Sequence, residues 1–194
     1  MKNFILYLIV IVILLVEVGP VAVAANKQLA FEDEQIKLRL FPRTPNQMAG
    51  FYEARGFPKK MVEVLTRFCI MTVVVHNKTK DVLWLDLDRW KFVSDSGELK
   101  RIRRNEWPPR WEKMQIPMAS QSTFRWTLLP EALKFFPDEH EGGNIIFVSM
   151  KNSFSLQASF AVGENKDKGF VMALVNSIQC AKDGDEAVEK VSKQ

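Results

Sequence analysis

The longest β-rich run of hydrophobic positions opens the stretch between Arg67 and Val93, RFCIMTVVVHNKTKDVLWLDLDRWKFV. Phe68, Cys69, Ile70, Met71, Val73, Val74 and Val75 form an almost unbroken apolar run. Such a run, rich in β-branched residues that lose little χ1 freedom in extended chain, predicts a strand covered on both faces. Asn77-Lys78-Thr79-Lys80-Asp81 predicts a reversal, because Asn and Asp side chains bond nearby backbone and tolerate left-handed conformations. Leu83, Leu85 and Leu87 then alternate with Trp84, Asp86 and Asp88, the period-two pattern of a half-buried strand. At Asp88–Arg89 the apolar set moves to Trp90 and Phe92, which predicts a bulge, kink or change of sheet there. The two runs are expected to be neighbouring strands at the centre of a sandwich-like core.

Upstream, Gln35–Phe41 alternates, placing Ile36, Leu38 and Leu40 inward and Lys37 and Arg39 outward. Ala25–Asp33 before it reads as a short lead-in. Thr44-Pro45-Asn46-Gln47 has the form of a capping box with proline at the first helical position. It opens a helix carrying Met48, Phe51 and Tyr52 on one face, stopped by Gly56 and Pro58. Met61, Val62 and Leu65 give a second short helix, so a helical pair is expected at about 44–66.

Downstream, Ser94–Gly97 is a turn and Glu98–Arg104 a short basic strand. Trp107-Pro108-Pro109-Arg110-Trp111 is expected to be irregular, since proline lacks the N–H that helices and central strands use. Gln121–Leu129 reads as a strand, Pro130–Leu133 as a helical turn and Pro137–Gly143 as an exposed loop. Asn144–Lys151 and Phe154–Val162 read as a hairpin turning at Asn152-Ser153. A last strand runs to about Ile178. Seven or eight strands with turns every 8–12 residues predict a mainly β domain with a short helical insert. The expected type is an immunoglobulin-like antiparallel β-sandwich spanning residues 25–181, with Trp84 packed against a bridge at Cys69.

Residues 1–24 change the setting. Lys2, the apolar stretch Phe4–Val16, the break at Gly19-Pro20 and the small residues Ala22-Val23-Ala24 make an export signal. The apolar stretch has 13 residues, short of the roughly 20 a membrane span needs. The alternative is an uncleaved segment that leaves the domain anchored outside the cytoplasm. Export places the domain in the periplasm or beyond, where the chain's two cysteines, Cys69 and Cys180, are expected to pair. The alternative is two buried thiols. Residues 182–194 are charged, lack aromatics and read as a flexible tail.

Lys+Arg 27 against Asp+Glu 23 gives a net charge of +4, too mild to imply nucleic acid. No phosphate loop, dinucleotide fingerprint or GxSxG elbow is present, and the expectation is a protein that is not an enzyme and takes no cofactor. Asp86 and Asp88 are expected to pair with Arg89 or the basic strand, since calcium needs a ligand-rich loop. Asp138-Glu139-His140-Glu141 reads as a solvated loop. With His76 the only other histidine, no multi-histidine zinc site is expected. Asn77-Lys78-Thr79 is a glycosylation sequon if the chain is made in a eukaryotic secretory pathway.

The segment KRIRRNEWPPRWEK, Lys100–Lys113, is the candidate for contact with a partner. Arg101, Arg103, Arg104 and Arg110 offer forks for carboxylate or phosphate, and Trp107 and Trp111 offer flat amphipathic surface. The expected partner is an envelope protein or an anionic surface component, and a membrane only if the N-terminal segment is retained. The plain alternative is an edge strand whose charges deter aggregation, with the tryptophans folded over the sheet. A second function class is a small-ligand or glycan module using Trp107, Trp111 and Tyr52 as an aromatic pocket.

Overall fold

Thr44 behaves as its sequence context predicts: its hydroxyl accepts from the Gln47 N–H, and the Gln47 side chain accepts from the Thr44 N–H. That box opens the first helix of a computed structural model that describes residues 29–184. The export signal at 1–24 and all but the start of the tail at 182–194 lie outside the described residues. In chain order the elements are β1 (Leu29–Glu32), β2 (Ile36–Arg43), α1 (Pro45–Glu53), α2 (Lys59–Leu65), β3 (Phe68–Asn77) and β4 (Leu83–Asp86). A 3-10 turn at Leu87–Arg89 leads to β5 (Lys91–Ser94) and β6 (Gly97–Leu99), and a second, at Arg104–Glu106, leads to α3 (Trp107–Lys113). Then come α4 (Met118–Thr127), β7 (Ala132–Phe135), β8 (His140–Val148), β9 (Phe154–Val162) and β10 (Phe170–Ile178).

The strands form two antiparallel sheets in a sandwich-like arrangement. One has the order β1-β2-β3-β8; in the other β9 is central, with β10 on one edge and β4 and β5 on the opposite edge, extended by β7 and β6. β4 and β5 are two segments of one interrupted strand, both paired to β9. The 3-10 turn between them is the slip read at Asp88–Arg89. It absorbs one residue, so Leu83, Leu85, Leu87, Trp90 and Phe92 all reach the same core.

Two expected pairings do not occur. β3 and β4 are not neighbours, because the Asn77–Asp81 turn carries the chain from the first sheet to the second. β8 and β9 are not a hairpin either: β8 pairs with β3 and β9 with β4, β5 and β10. β9 is buried on both faces for most of its length, which suits the centre of a sheet rather than one arm of a two-stranded ribbon. It meets β8 through side chains, with Phe147 and Phe154 ring centroids 5.4 Å apart across the sandwich.

Three local expectations are also overturned. Trp107–Lys113 is helical, because Pro108 and Pro109 fall in the first turn, where N–H groups have no intrahelical partner to lose. Gln121–Thr127 belongs to α4, not to a strand: Phe124 and Leu128, four apart, are buried while Trp126 between them is 82% exposed. Ala132–Phe135 is strand β7, not a helical turn. Its register against β4 puts Phe135 opposite Leu83 in the core. β1, unread in the sequence, adds Leu29 and Phe31 to the main core, and the expected loop at Pro137–Gly143 already begins β8 at His140.

A second core lies on the outer side of the first sheet. Met48, Tyr52, Met61 and Leu65 of the helical pair meet Trp107, Trp111 and Phe124 over Ile70 of β3 and Ile146 of β8. The neighbours of those two residues, Cys69, Met71, Ile145 and Phe147, face the main core. The continuous apolar run in β3 therefore has a structural cause: both faces of its first half are covered. The free edge of β8 is closed by Ile102, whose N–H donates to Ile146 O at 2.7 Å, and by Leu129, whose N–H donates to Asn144 O at 3.0 Å. Cys69 and Cys180 form a disulfide with Cα atoms 5.4 Å apart, joining β3 to the segment after β10.

Candidate functional site

The Lys100–Lys113 segment enters as an extended link along the β8 edge and turns into α3 through the Arg104–Glu106 3-10 turn. Its six candidate residues divide into three groups. Arg101 and Arg103 face carboxylates of the same chain. The Arg101 guanidinium, with its side chain 9% exposed, takes both oxygens of Glu131, one at 2.9 Å, and reaches Asp88 at 3.2 Å. Arg103 shares that Asp88 oxygen at 2.5 Å. The Asp88 carboxylate thus binds the basic segment, and Asp86 binds Arg89 at 3.6 Å, as the sequence led one to expect.

Glu131 also accepts from the Arg104 backbone N–H at 3.0 Å. Burial by itself raises the Glu131 pKa. The hydrogen bonds from Arg101 and the Arg104 backbone, with the charges of Arg101 and Arg103, outweigh it and hold the carboxyl below its ordinary value.

Trp107 and Trp111 form the second group, and they are not a contact surface. Each is 1% exposed. They stack with centroids 5.1 Å apart at 20°, and Phe124 closes edge-on against both. Spacing of four on a helix puts both rings on the buried face. Their indole N–H groups, and that of Trp90, have no hydrogen-bond partner. Tyr52 is likewise buried, its hydroxyl 3.0 Å from Thr127 Oγ1. The three rings expected to line a glycan pocket fill a core instead.

The third group is Arg104 and Arg110. Arg110 is exposed and lies over the Phe68 and Trp107 rings, at 5.1 Å from each centroid. Arg104 donates through Nε and Nη2 to the Arg125 carbonyl, at 3.2 and 2.6 Å. It thereby satisfies an end carbonyl of α4. Burial, and then the neighbouring Arg125 charge, depress the Arg104 pKa, with Glu131 opposing. No ion pair among the described residues reaches Arg104, Arg110 or Arg125.

Arg125 and Trp126 were missed because the segment was read as a strand. At helical period Phe124 and Leu128 define the buried face, and Arg125 and Trp126 fall off it. Just past the end of α4 a shallow cleft with a free volume of about 10 Å³, room for about one water, is lined by Arg101, Arg104, Leu128, Glu131 and Asn144 among others. That is below the roughly 300–1,000 Å³ of small-molecule sites.

Trp84 does not pack against the disulfide. It lies on the outer face of the second sheet, between the Lys134 and Lys166 ammoniums, and its Nε1 donates to Gly163 O at 2.9 Å. Phe170, Met172 and Leu174 of β10 are exposed on that face. Asn77, the sequon residue, is fully buried and donates to the carbonyls of Asp81, Phe135 and Phe136. Its role in the folded chain is to knit the turn between the sheets.

No family model matches the chain, and no curated protein matches it. Two crystal structures of Bacillus subtilis proteins are similar in part. The ycdA protein, at 12% identity and a TM-score of 0.43, is matched over 86% of this chain and 42% of its own. The yjhA protein, at 8% identity and a TM-score of 0.44, is matched over 77% of this chain and 96% of its own. The chain thus spans less than half the length of the ycdA protein.

Proposed function

We propose that the protein is an exported, non-enzymatic module that binds an acidic component of the cell envelope through the end of α4. The observation that carries the reading is Trp126, 82% exposed and next in the chain to the exposed Arg125, whose carbonyl holds the Arg104 guanidinium; neither arginine is in an ion pair among the described residues, and Glu131 acts on the Arg104 side chain through charge alone. An exposed indole with guanidiniums outside any ion pair on the same helix end is the composition of a contact hot spot, and Arg recognises carboxylate with two-pronged geometry. Arg110 adds charge on the adjoining helix. Arg101 and Arg103, whose charge is met within the chain, hold the platform in place.

Export is supported by the order of Lys2, Phe4–Val16 and Ala22-Val23-Ala24, and by the Cys69–Cys180 disulfide, since such bonds persist in oxidising compartments. The immunoglobulin-like description of the sandwich belongs to the same proposal; its support is a disulfide that ties one sheet to the chain just beyond the other.

The test is affinity capture from native envelope extract, comparing wild type with the double variant Arg125→Glu, Trp126→Ala. Arg104 bonds the Arg125 backbone, so this variant keeps the helix cap. A partner held by wild type and lost by a variant of unchanged melting temperature supports the reading. Identical captured proteins from both overturn it.

A further inference from the structure

The chain has two histidines, and the fold places them directly opposite each other: His76 of β3 is the register partner of His140 of β8. We propose that this pair binds a borderline divalent transition-metal ion of the copper(II), nickel(II) and zinc(II) class. The site lies on the outer face of the first sheet and does not depend on the α4 reading.

Strand geometry brings the two side chains close. The next residue along β3, Asn77, donates its N–H to Glu139 O at 2.9 Å, so the Asn77 backbone points toward β8 and that of His76 points away. His76 and His140 therefore occupy a non-hydrogen-bonded pair, the position where opposed side chains approach most closely. Their ring centroids are 5.5 Å apart at an interplanar angle of 81°. Two imidazoles bound to one ion at about 2.0–2.1 Å hold their centroids roughly 5 Å apart at the near-tetrahedral angle of zinc(II) and roughly 4.5 Å apart at the cis angle of tetragonal copper(II) or nickel(II). The observed separation exceeds these values by about 0.5–1 Å, a gap that side-chain rotation must close on binding. Among the described residues no three His, Cys, Asp or Glu side chains converge on one point, so the protein supplies two nitrogens and water completes the sphere.

Asp138 strengthens the case. Its Oδ1 lies 2.9 Å from His76 Nε2. A carboxylate accepts only, so Nε2 carries a proton and the nitrogen left to bind a metal is Nδ1 of the neutral ring. A carboxylate that fixes the tautomer of a ligating histidine is the usual second layer of a metal site. Both rings are open to arriving ions: the His76 side chain is 31% exposed and His140 is exposed. Lys37, the register partner of His76 on β2, has its ammonium held by Glu32 at 2.5 Å, which offsets that positive charge. Imidazole suits copper, nickel and zinc, and copper(II) is expected to bind tightest.

The test is calorimetric titration of the folded protein with copper(II), nickel(II) or zinc(II) chloride, for wild type, His76→Ala and His140→Ala. Wild type is expected to take one ion, copper(II) tightest, and each single substitution to weaken binding at least tenfold. Copper(II) electron paramagnetic resonance should show coupling to two nitrogens in wild type and to at most one in either variant. His140 is exposed, so His140→Ala keeps the metal-free melting temperature and remains informative if His76→Ala unfolds. Absence of saturable binding by wild type, or affinity unchanged in His140→Ala, overturns the site.

Discussion

Arg101 grips both carboxylate oxygens of Glu131 from a position almost closed to solvent, and the two residues bridge the entry to α3 and the entry to β7. The pair couples the helical layer to the second sheet. Removing the guanidinium leaves a half-buried carboxylate with backbone and Arg103 support alone. Arg101→Ala is expected to lower unfolding free energy by about 1–2 kcal/mol, since 38% of the Glu131 side chain meets water and screening discounts the loss. Urea unfolding should show a lower midpoint at unchanged slope.

The same carboxylate predicts an acid limb. Glu131 has its folded pKa depressed, so its contribution is present above the ordinary glutamate value and disappears as pH falls through the folded one. Glu131→Gln should therefore be less stable than wild type at about pH 7, with the gap narrowing as pH drops below about 4. Parallel melting curves for the two proteins across that range would check it; a gap that widens on acidification would contradict the assignment.

The disulfide closes a loop of sequence separation 111. In the chain-entropy account such a loop stabilises by about 4–5 kcal/mol. Cys69→Ala with Cys180→Ala is expected to lower the melting temperature by roughly 8–20 °C in a domain of this size. Differential scanning calorimetry of oxidised wild type and the double variant measures the difference.

Gly143 sits where two backbones nearly touch. A Cβ there would lie 2.4 Å from the Leu129 nitrogen, which bonds the adjacent Asn144 carbonyl. Gly143→Ala should cost about 1–3 kcal/mol through the forced separation of the α4–β7 link from β8. Gly50, inside α1 with nothing within 4 Å of an added Cβ, makes the contrasting case. Gly50→Ala should stabilise by about 0.5–1 kcal/mol through helix propensity.

Trp107 and Trp126 separate the buried and presented tryptophans of the helical layer. Trp107→Ala is expected to cost about 3–5 kcal/mol by opening the aromatic cluster, whereas Trp126→Ala should change stability by no more than about 0.5 kcal/mol. Chemical denaturation of both variants distinguishes them, and a large loss from Trp126→Ala would move that ring out of the surface reading.

The sequence carried the elements whose burial is strictly periodic. β2, the helical pair with its capping box, the register slip at Leu87–Arg89 and the Cys69–Cys180 pairing were all legible. The misreadings share one physical cause, that partners distant in sequence decide pairing and exposure. Thr, Phe and Trp in Gln121–Thr127 favour strand locally, but the ring pocket formed by Trp107 and Trp111 accepts Phe124 from a helix. Two consecutive prolines looked like a break, yet in a first turn they cost no hydrogen bond. The basic-aromatic segment was legible as composition. The pairing of Asp88 with the basic segment was legible, but nothing local tells that Glu131 meets Arg101, or that both indoles turn inward.

β3 is the common wall of two separately filled chambers, with Ile70 in one and Cys69 and Met71 in the other. The disulfide anchors that wall on the sandwich side alone. The helical storey thus has no covalent tie of its own, and on heating it is the part free to detach while the bolted half keeps its shape. A signal from Trp107 and Trp111 would then report local loosening of the helical side just below the main transition, ahead of the β-sheet signal.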